Sequence, residues 1–374
     1  MTITAKDLAK RVINQTKTLI LDVRNTNEFN DWKIEGNSIE IMNEPYFNLL
    51  DSVEPLADKL DKHQEVIVVC AQGGSSEMIA DMMEDAGFTN VYSLEGGMQA
   101  WSEHMEPVKI ADLSNGGHLY QFVRQGKGCL SYMAISGNEA AVVDAARMTD
   151  VYEQFAEDKG VVIKHIIDTH LHADHISGGR QLAENTGANY YMPPKDAEDV
   201  TFDYQPLEQN HTITVGQTTI NVQPVYSPGH TIGSTSLIID EQYLLTGDIL
   251  FIKSIGRPDL AGKAEDWAAD LHKTLYKRYE KLSKDLVVLP AHYAFMEEMS
   301  EDGSIRARLG DLYKHNDSLN VPNEQAFRKM VTENMPPQPN EHETIRQTNM
   351  GQMNPKVEEQ REMEIGPNRC AVHG

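Results

Sequence analysis

The first hundred residues alternate short apolar runs with a stretch of helical periodicity. The runs at 18–23, 65–70 and 91–94 have the length and the aliphatic character of buried strands. Residues 75–86 place methionine and isoleucine at helical spacing. Because strands that alternate with helices form parallel sheets, we expect a parallel-sheet α/β domain over residues 1–104.

The pattern changes after a short stretch without a regular apolar repeat. Residues 105–116 contain Pro107 and show little periodicity, so we predict a linker there. Beyond it, strand-like runs follow one another more closely. These runs are 141–144, 165–168, 218–222, 236–239 and 286–289, and helical stretches lie at 149–159 and 266–282. This order predicts a second domain over 117–300 whose sheets carry helices on their outer faces.

The C-terminal residues 301–374 are largely polar. We expect them to form a helical or irregular extension. The stretch from Gln352 onward is expected to dock loosely or not at all.

Length, charge and cysteine content narrow the function classes. At 374 residues the chain exceeds the usual size of a single core, which favours two domains. Its net charge of -24 repels phosphate backbones and anionic lipid, which disfavours nucleic-acid and membrane partners. Three widely spaced cysteines make a poor disulfide framework, and no apolar run has the length of a signal peptide or a membrane span. We therefore expect a cytoplasmic protein, and the sequence leaves a homo-oligomer open.

The strongest chemical signal follows the apolar run 165–168. The chain continues there as His-Leu-His-Ala-Asp-His, which places His170, His172, Asp174 and His175 at the end of a predicted strand. Two histidines at i and i+2 on extended chain project to the same side. Both imidazoles can therefore reach one metal ion.

Three further candidate ligands also follow apolar runs. His230 comes after Ser-Pro-Gly, Asp248 after Leu-Leu-Thr-Gly, and His292 after Leu-Pro-Ala. Reactive groups usually converge on loops at the strand ends of a rigid sheet. A lone histidine such as His118 is usually structural, but this combination predicts a metal site.

Residues 117–293 resemble the metallo-β-lactamase superfamily. Its motifs match, in order, the His-x-His-x-Asp-His run, Ser-Pro-Gly-His230, Thr-Gly-Asp248 and Pro-Ala-His292. The resemblance implies an αββα sandwich with the metal at one edge of the sheets. Within the superfamily, this segment looks most similar to glyoxalase II and to the persulfide dioxygenases.

These two branches imply different metals. Persulfide dioxygenases bind one Fe(II) per chain through two histidines and one aspartate, which correspond here to His170, His230 and Asp248. Such a triad leaves three positions for substrate sulfur and O₂. The remaining residues would then line the pocket or a second metal site, with Thr231 as an outer hydroxyl group. These remaining residues are His172, Asp174, His175 and His292. A zinc hydrolase of the glyoxalase II type would use all seven around one or two Zn ions, so ligand types alone do not separate the branches.

Three features favour the dioxygenase branch. Arg257 resembles the position where these enzymes hold the glutathione carboxylate, although a surface salt bridge is the ordinary alternative. Residues 128–132 resemble the early strand that leads into the pocket, and Cys129 within it is equally compatible with a small buried hydrophobic residue. The Asn-Met-Pro-Pro-Gln-Pro stretch at 334–339 resembles a Leu-Pro-x-Pro segment of the persulfide dioxygenases.

Cys70 ends a predicted buried strand and begins a loop that leads into a helix. The loop contains Gln72, Gly73, Gly74, Ser75 and Ser76. Backbone N–H groups at a helix N-terminus stabilise a thiolate, and the glycine pair lets the backbone curve around an anionic or persulfidic sulfur. Without further context, a cysteine at a strand end is more often buried and inert.

Residues 2–104 resemble a rhodanese domain. The resemblance rests on the Leu-Asp-Val-Arg run at 21–24, the Cys70 loop and the Leu-Glu-Gly-Gly-Met-Gln-Ala-Trp run at 94–101, in that order. It implies that Cys70 accepts a sulfane sulfur as a cysteine persulfide.

Two departures from the rhodanese pattern affect the expected chemistry. Residues 32–37 read Trp-Lys-Ile-Glu-Gly-Asn where the family has Gly-His-Ile-x-Gly-Ala, and the Cys70 loop lacks arginine. The smaller positive charge predicts weak thiosulfate binding. Ser76 stands where a Cys-x₅-Arg phosphatase needs its guanidinium, which argues against a phosphatase.

Together, the two resemblances imply a fused persulfide dioxygenase–rhodanese. We expect oxidation of a low-molecular-weight persulfide, such as glutathione persulfide, by O₂ to sulfite and thiol at one Fe(II), coupled to sulfane-sulfur transfer at Cys70. The first alternative is a zinc thioester hydrolase of the glyoxalase II type. The second is a sulfur carrier whose metal domain only binds a partner or ligand.

Overall fold

The N-terminal part of the chain forms a five-stranded parallel sheet. The structure, a computed structural model, describes residues 1–209, 212–216, 220–258, 264–333, 338, 341–367 and 370–372. The strands of the first sheet are β1 (Thr2–Ile3), β2 (Thr18–Asp22), β3 (Ile39–Asn43), β4 (Val66–Val69) and β5 (Val91–Leu94). The helices of this part are α1 (Ala5–Ile13), α2 (Thr26–Asp31), α3 (Glu54–Ala57), α4 (Gly74–Asp85) and α5 (Gly97–Glu103). The strands pair in the order β1-β5-β4-β2-β3.

Helices cover both faces of this sheet. Leu21 and Val68 pack on one side with α4, whereas Ile20 and Ile67 pack on the other side with α1 and α5. Burial on both faces explains why β2 and β4 are continuous aliphatic runs in the sequence. The predicted parallel α/β domain is confirmed.

The second part contains two larger sheets. Its strands are β6 (Glu106–Asp112), β7 (His118–Arg124), β8 (Cys129–Ser136), β9 (Glu139–Val143), β10 (Val162–Ile167), β11 (Asn189–Met192), β12 (Gln205–Pro206), β13 (Ile213–Val215), β14 (Ile220–Tyr226), β15 (Thr235–Ile239), β16 (Tyr243–Gly247), β17 (Ile255–Gly256), β18 (Val287–Pro290), β19 (Ala307–Arg308) and β20 (Ala371–Val372). Its helices are α6 (Thr149–Lys159), α7 (Gly179–Thr186), α8 (Ala264–Lys273), α9 (Leu309–His315), α10 (Glu324–Glu333), α11 (His342–Asn349) and α12 (Val357–Glu364). The seven-stranded sheet has the order β12-β11-β10-β9-β8-β7-β6, the six-stranded sheet has the order β13-β14-β15-β16-β18-β19, and β17 pairs with β20.

These two sheets pack face to face between outer helices. Val143 and Ile167 of the seven-stranded sheet meet Leu245 and Leu289 of the six-stranded sheet in one apolar core. Helices α6 and α7 cover the outer face of the first sheet, and α8, α9 and α10 cover that of the second. This αββα sandwich confirms the fold that the resemblance implied.

The predicted linker is wrong over most of its length. Residues Glu106–Asp112 form β6, which pairs antiparallel with β7 at the edge of the seven-stranded sheet. Val108 and Ile110 are buried while Lys109 between them is exposed, which is the alternation of a strand with one buried face. Pro107 suggests a chain break, yet an edge strand tolerates proline because one of its sides makes no ladder hydrogen bonds.

The C-terminal segment is docked, which contradicts the expected loose tail. Glu364, at the end of α12, is 1% exposed. Its Oε2 accepts hydrogen bonds from Arg124 Nη2 at 2.8 Å and from Arg147 Nε at 3.0 Å. A polar composition predicted disorder, but here the polar side chains form buried ion pairs with residues distant in the sequence.

The Pro-rich stretch 334–339 lies outside the described residues, apart from Gln338. Among the described residues, no helix combines the length and the apolar character that crossing a membrane requires.

Candidate metal centre

The three predicted ligands of a single ion meet at one edge of the sandwich. His170 follows β10 of the seven-stranded sheet, whereas His230 and Asp248 follow β14 and β16 of the six-stranded sheet. One ligand atom from each residue lies within 4.8 Å of the other two. Asp248 Oδ2 is 3.5 Å from His230 Nε2 and 3.8 Å from His170 Nε2. These distances allow the three side chains to share one ion.

Neighbouring groups orient both imidazoles. The Thr169 hydroxyl donates to Asp144 Oδ2 at 3.0 Å, so it accepts from His170 Nδ1, which lies 3.0 Å away. His230 Nδ1 donates to the carbonyl oxygen of Arg257 at 2.8 Å. With Nδ1 occupied on each ring, Nε2 is the nitrogen left to bind a metal.

The chemistry of this group fits a metal ion. Within the part of the chain that the structure describes, His170 Nε2 and Asp248 Oδ2 are buried without a hydrogen-bond partner, which is costly for polar atoms unless an ion or water binds them. Burial and the neighbouring His172 lower the pKa of His170 well below its ordinary value, so the imidazole is neutral. Burial raises the pKa of Asp248, but His292 outweighs this effect and the pKa lies below its ordinary value. Neutral imidazole and ionised carboxylate are the metal-binding forms.

A second buried group lies beside the first and shares Asp248 with it. Asp174 is 3.0 Å from His175 Nδ1 and 2.8 Å from His292 Nε2, and His292 Nδ1 is 2.6 Å from Asp248 Oδ1. Cys129 Sγ lies among these atoms. Burial raises the pKa of Cys129, but His292 and His175 lower it to about 6. Three of the residues predicted for a pocket or second metal site thus lie together with a thiol.

His172, the fourth of those residues, lies with Asp144 and Asp168. Its Nε2 is 3.3 Å from Asp144 Oδ1, and neither ring nitrogen makes a hydrogen bond with another described residue. The His172 ring lies 4.2 Å from the His170 ring and 4.3 Å from the His175 ring, measured between centroids. His172 therefore lies between the two groups, and its ring nitrogens could bind an ion.

Two outer residues have surroundings that the sequence did not indicate. The Thr231 hydroxyl donates to Asp196 Oδ2 at 2.6 Å, and Asp196 also accepts backbone N–H groups from the loops that carry His170 and His230. Thr231 therefore braces these loops through a carboxylate. Arg257 is 1% exposed, which excludes the surface salt bridge considered as its ordinary alternative.

Sequence reasoning missed the two residues that orient His170. Asp144 directly follows β9, as Asp248 directly follows β16, so the same strand-end signal could have identified it. Thr169 needs room beside Gly247, because a Cβ on Gly247 would lie 2.7 Å from Thr169 Oγ1. Cys370 has no local signal, yet its Sγ lies within the second group.

Two residues of the loop after Cys70 contact its thiol. The Gly73 N–H donates to Cys70 Sγ at 3.1 Å, and Ser76 Oγ lies 3.3 Å from the same sulfur. Gly73 has a φ of +100°, a conformation that side-chain-bearing residues rarely adopt. Gln72 is exposed, Ser75 is half-buried, and α4 begins at the residue after Gly73. The thiol therefore lies against the first turn of α4.

Comparison with known proteins gives the same two domains. Residues 4–104 match the rhodanese-like domain, and residues 124–296 match the metallo-beta-lactamase superfamily. A hydroxyacylglutathione hydrolase of Anaeromyxobacter dehalogenans is 33% identical over 196 residues, which cover 50% of this chain and 73% of that protein. The mitochondrial persulfide dioxygenase ETHE1 of Homo sapiens is 25% identical over 217 residues, which cover 53% of this chain and 78% of that protein. A metallo-beta-lactamase structure from Staphylococcus aureus has a TM-score of 0.58 at 26% identity, over 64% of this chain and 74% of that chain.

The sandwich and its buried imidazole–carboxylate groups define a metal-binding enzyme fold, joined to a parallel α/β domain that presents a cysteine. The chain belongs to the metallo-β-lactamase superfamily and carries a rhodanese-like domain before the sandwich. The fused architecture implied by the sequence is confirmed.

Proposed function

We propose that the protein oxidises a low-molecular-weight persulfide, such as glutathione persulfide, with O₂ to sulfite and free thiol. The observation that carries the proposal is the presence, in one chain, of the buried His170–His230–Asp248 group and the Cys70 thiol loop. Two imidazoles and one carboxylate with open positions suit Fe(II) and two reactants at the same ion. A rhodanese-type cysteine handles the same sulfane sulfur. The likeness to the human persulfide dioxygenase supports this reaction type.

His170, His230 and Asp248 would hold one Fe(II) per chain, and the bound ion would supply the redox chemistry that O₂ requires. Thr169 and the Arg257 carbonyl keep the two imidazoles aligned through their Nδ1 atoms. Each of the three side chains is buried. Their burial keeps bulk water away from the reacting sulfur and oxygen, which limits side reactions.

His292 lies beside this group, in contact with two carboxylates. Burial lowers its pKa, but Asp248 and Asp174 raise it well above its ordinary value. These contacts favour the protonated imidazole, whose Nε2 lies 2.8 Å from Asp174 and whose Nδ1 lies 2.6 Å from Asp248. A positive charge at this place stabilises the negative charge that develops as sulfite forms.

Metal content and O₂ consumption test the proposal. Protein loaded with Fe(II) without air should bind about one iron per chain and consume O₂ with glutathione persulfide, releasing sulfite. Iron analysis and an oxygen electrode measure both quantities. Zinc-loaded protein is the matched control and should consume no O₂, because Zn²⁺ has no redox chemistry. An absence of O₂ uptake at full iron occupancy would end the proposal.

A zinc thioester hydrolase is the second candidate. It is favoured by the unpaired ring nitrogens of His172 and by the second group that shares Asp248, because these residues could hold a second ion. The likeness to a hydroxyacylglutathione hydrolase also supports it. About two zinc ions per chain together with thioesterase activity would select this candidate.

Replacing Cys70 with serine should abolish sulfane-sulfur transfer and leave persulfide oxidation unchanged. A serine hydroxyl is not a thiolate nucleophile and cannot accept a sulfane sulfur. The rate of sulfur transfer from glutathione persulfide to cyanide should therefore fall at least about 1000-fold. Thiocyanate formation measures the transfer, and O₂ uptake of the same variant is the internal control. Retention of transfer would show that another thiol performs it.

A further inference from the structure

The C-terminal segment brings a second thiol, in addition to that of Cys129, into the metal centre. Cys370 Sγ lies within 4.8 Å of ligand atoms of Asp174, Asp248 and His292, and Cys370 is fully buried. Among the described residues, Asp248 Oδ2 makes no hydrogen bond, and His292 Nε2 lies 2.8 Å from Asp174 in an ion-pair contact. Because Asp248 also belongs to the two-histidine group, the Cys370 thiol borders both groups of ligand-type residues.

Specific backbone contacts hold Cys370 at this position. Its carbonyl oxygen accepts the backbone N–H of Arg257 at 3.0 Å. The next two residues form β20, which pairs antiparallel with β17 shortly after Asp248. Upstream, Glu364 is anchored by its buried ion pairs. A strand pair of two residues is a weak attachment, so the thiol can leave the centre while α12 stays anchored.

The C-terminal tail, residues 370–372, lies against Arg257, where the family resemblance implies a thiol substrate. Arg257, which the family resemblance assigns to the substrate carboxylate, is buried with the tail backbone against its own backbone. All seven ligand-type side chains of the metal centre are at most 3% exposed. With the tail in this position, a small thiol therefore meets almost no exposed surface of these side chains.

We infer that Cys370 is a catalytic residue that presents the sulfane sulfur to the metal centre as a protein-bound persulfide. This inference rests on the proposed function and names the species that is oxidised. One S–S bond extends the Cys370 thiol by about 2 Å, within a group of side chains suited to hold an ion. A free persulfide such as glutathione persulfide is then the sulfur donor, and the chain itself carries the substrate.

The inferred reaction at Cys370 has two steps. In the first, which takes place with the tail released from the centre, the Cys370 thiol loses its proton to solvent and the thiolate attacks the sulfane sulfur of the donor. The S–S bond of the donor breaks, a new S–S bond forms at Cys370 Sγ, and the donor leaves as its thiolate. In the second, Cys370–S–SH + O₂ + H₂O gives Cys370–SH + SO₃²⁻ + 2 H⁺. The sulfane sulfur is oxidised to sulfite and O₂ is reduced, so no further oxidant is needed.

The test combines a chemical label with an activity. Metal-free protein is treated with glutathione persulfide without air and alkylated, and the peptide that contains Cys370 is examined by mass spectrometry for one additional sulfur atom. Iron-loaded wild type, Cys370→Ser and Val357→Ala are then compared for O₂ uptake with glutathione persulfide. Val357 is 51% exposed on α12 and is the matched tail control. Iron content and thermal unfolding verify that each variant is loaded and folded, and Cys370→Ala replaces the serine variant if that variant is unstable.

We expect the additional sulfur on Cys370 in the wild type, and a loss of O₂ uptake of at least about 100-fold in Cys370→Ser with unchanged iron content. Val357→Ala should match the wild type. An unlabelled Cys370, or a serine variant that consumes O₂ as fast as the wild type or faster, would overturn the inference and show that the tail only obstructs the centre. Loss of iron from the serine variant would also overturn it, because Cys370 would then be a metal ligand. If the wild type itself consumes no O₂, the proposed function fails and the inference fails with it.

Discussion

Replacing Asp248 with asparagine should remove both the bound metal and the oxygen chemistry. The amide keeps the size of the carboxylate, but it has no negative charge and is a weaker ligand. It also weakens the contact with His292 Nδ1, which is 2.6 Å long. Because Asp248 is the carboxylate of its group with His170 and His230, we expect iron affinity and O₂ uptake with glutathione persulfide to fall at least about 100-fold. Iron titration and an oxygen electrode measure the two effects.

An exposed aspartate offers the matched control for this substitution. Asp112 forms surface ion pairs with Lys109 and His118. Asp112→Asn should leave iron affinity and O₂ uptake unchanged, because exposed ion pairs contribute little to structure. An Asp248→Asn variant that binds iron and consumes O₂ like the wild type would show that the triad is not the reaction site.

Replacing Glu364 with glutamine should lower the free energy of unfolding more than any other substitution proposed for this protein. Glu364 Oε2 is shared by Arg124 and Arg147, and its Oε1 accepts the backbone N–H of Ile176 at 2.7 Å. Glutamine leaves the buried Arg124 guanidinium without its paired carboxylate, whereas Arg147 keeps its ion pair with Glu103. Breaking a buried ion pair in this way lowers the free energy of unfolding by about 3–5 kcal/mol. Urea-induced unfolding measures the difference.

The stability contribution of Glu364 should also depend on pH. Burial raises the pKa of Glu364, but Arg124 and Arg147 outweigh it and lower the pKa from 4.5 to about 2. A carboxyl group with a depressed folded-state pKa stabilises the protein above its unfolded pKa, and this stabilisation is lost as pH falls through the folded pKa. The difference between wild type and Glu364→Gln should therefore shrink as pH falls from 4.5 to about 2.

Glu358 lies on the same helix and is exposed, so Glu358→Gln is the control. Its free energy of unfolding should differ from that of the wild type by less than about 0.5 kcal/mol. Equal unfolding midpoints for Glu364→Gln and the wild type near neutral pH would contradict the assigned ion-pair cluster.

Local sequence patterns predicted the two domains and most of their elements. The aliphatic runs that became β2 and β4 are visible because burial on both faces leaves continuous apolar stretches. The metal centre was also visible, since His170, His230 and Asp248 each directly follow a strand or a short turn after one. Each of these three ligands can be recognised from its residue type and from the few residues that precede it.

The strand β6 shows where a local pattern is insufficient. Pro107 and the weak periodicity around it predicted a linker, but Val108 and Ile110 are buried against the core of the sandwich. An edge strand needs only one ladder of hydrogen bonds, so its sequence can carry proline and still pair. Whether such a segment pairs is decided by the strand β7 beside it.

By itself, the sequence determined the fold class, the fused architecture and the candidate ligands, because periodic burial and strand-end motifs are local properties. The tertiary structure alone decided that Asp144 and Thr169 orient His170, that Glu364 anchors the tail, and that Cys370 enters the metal centre. Apart from the contact between the neighbours Thr169 and His170, these contacts join segments that are far apart in the chain. A contact of this kind imposes no repeat on either segment, so no pattern in the sequence records it.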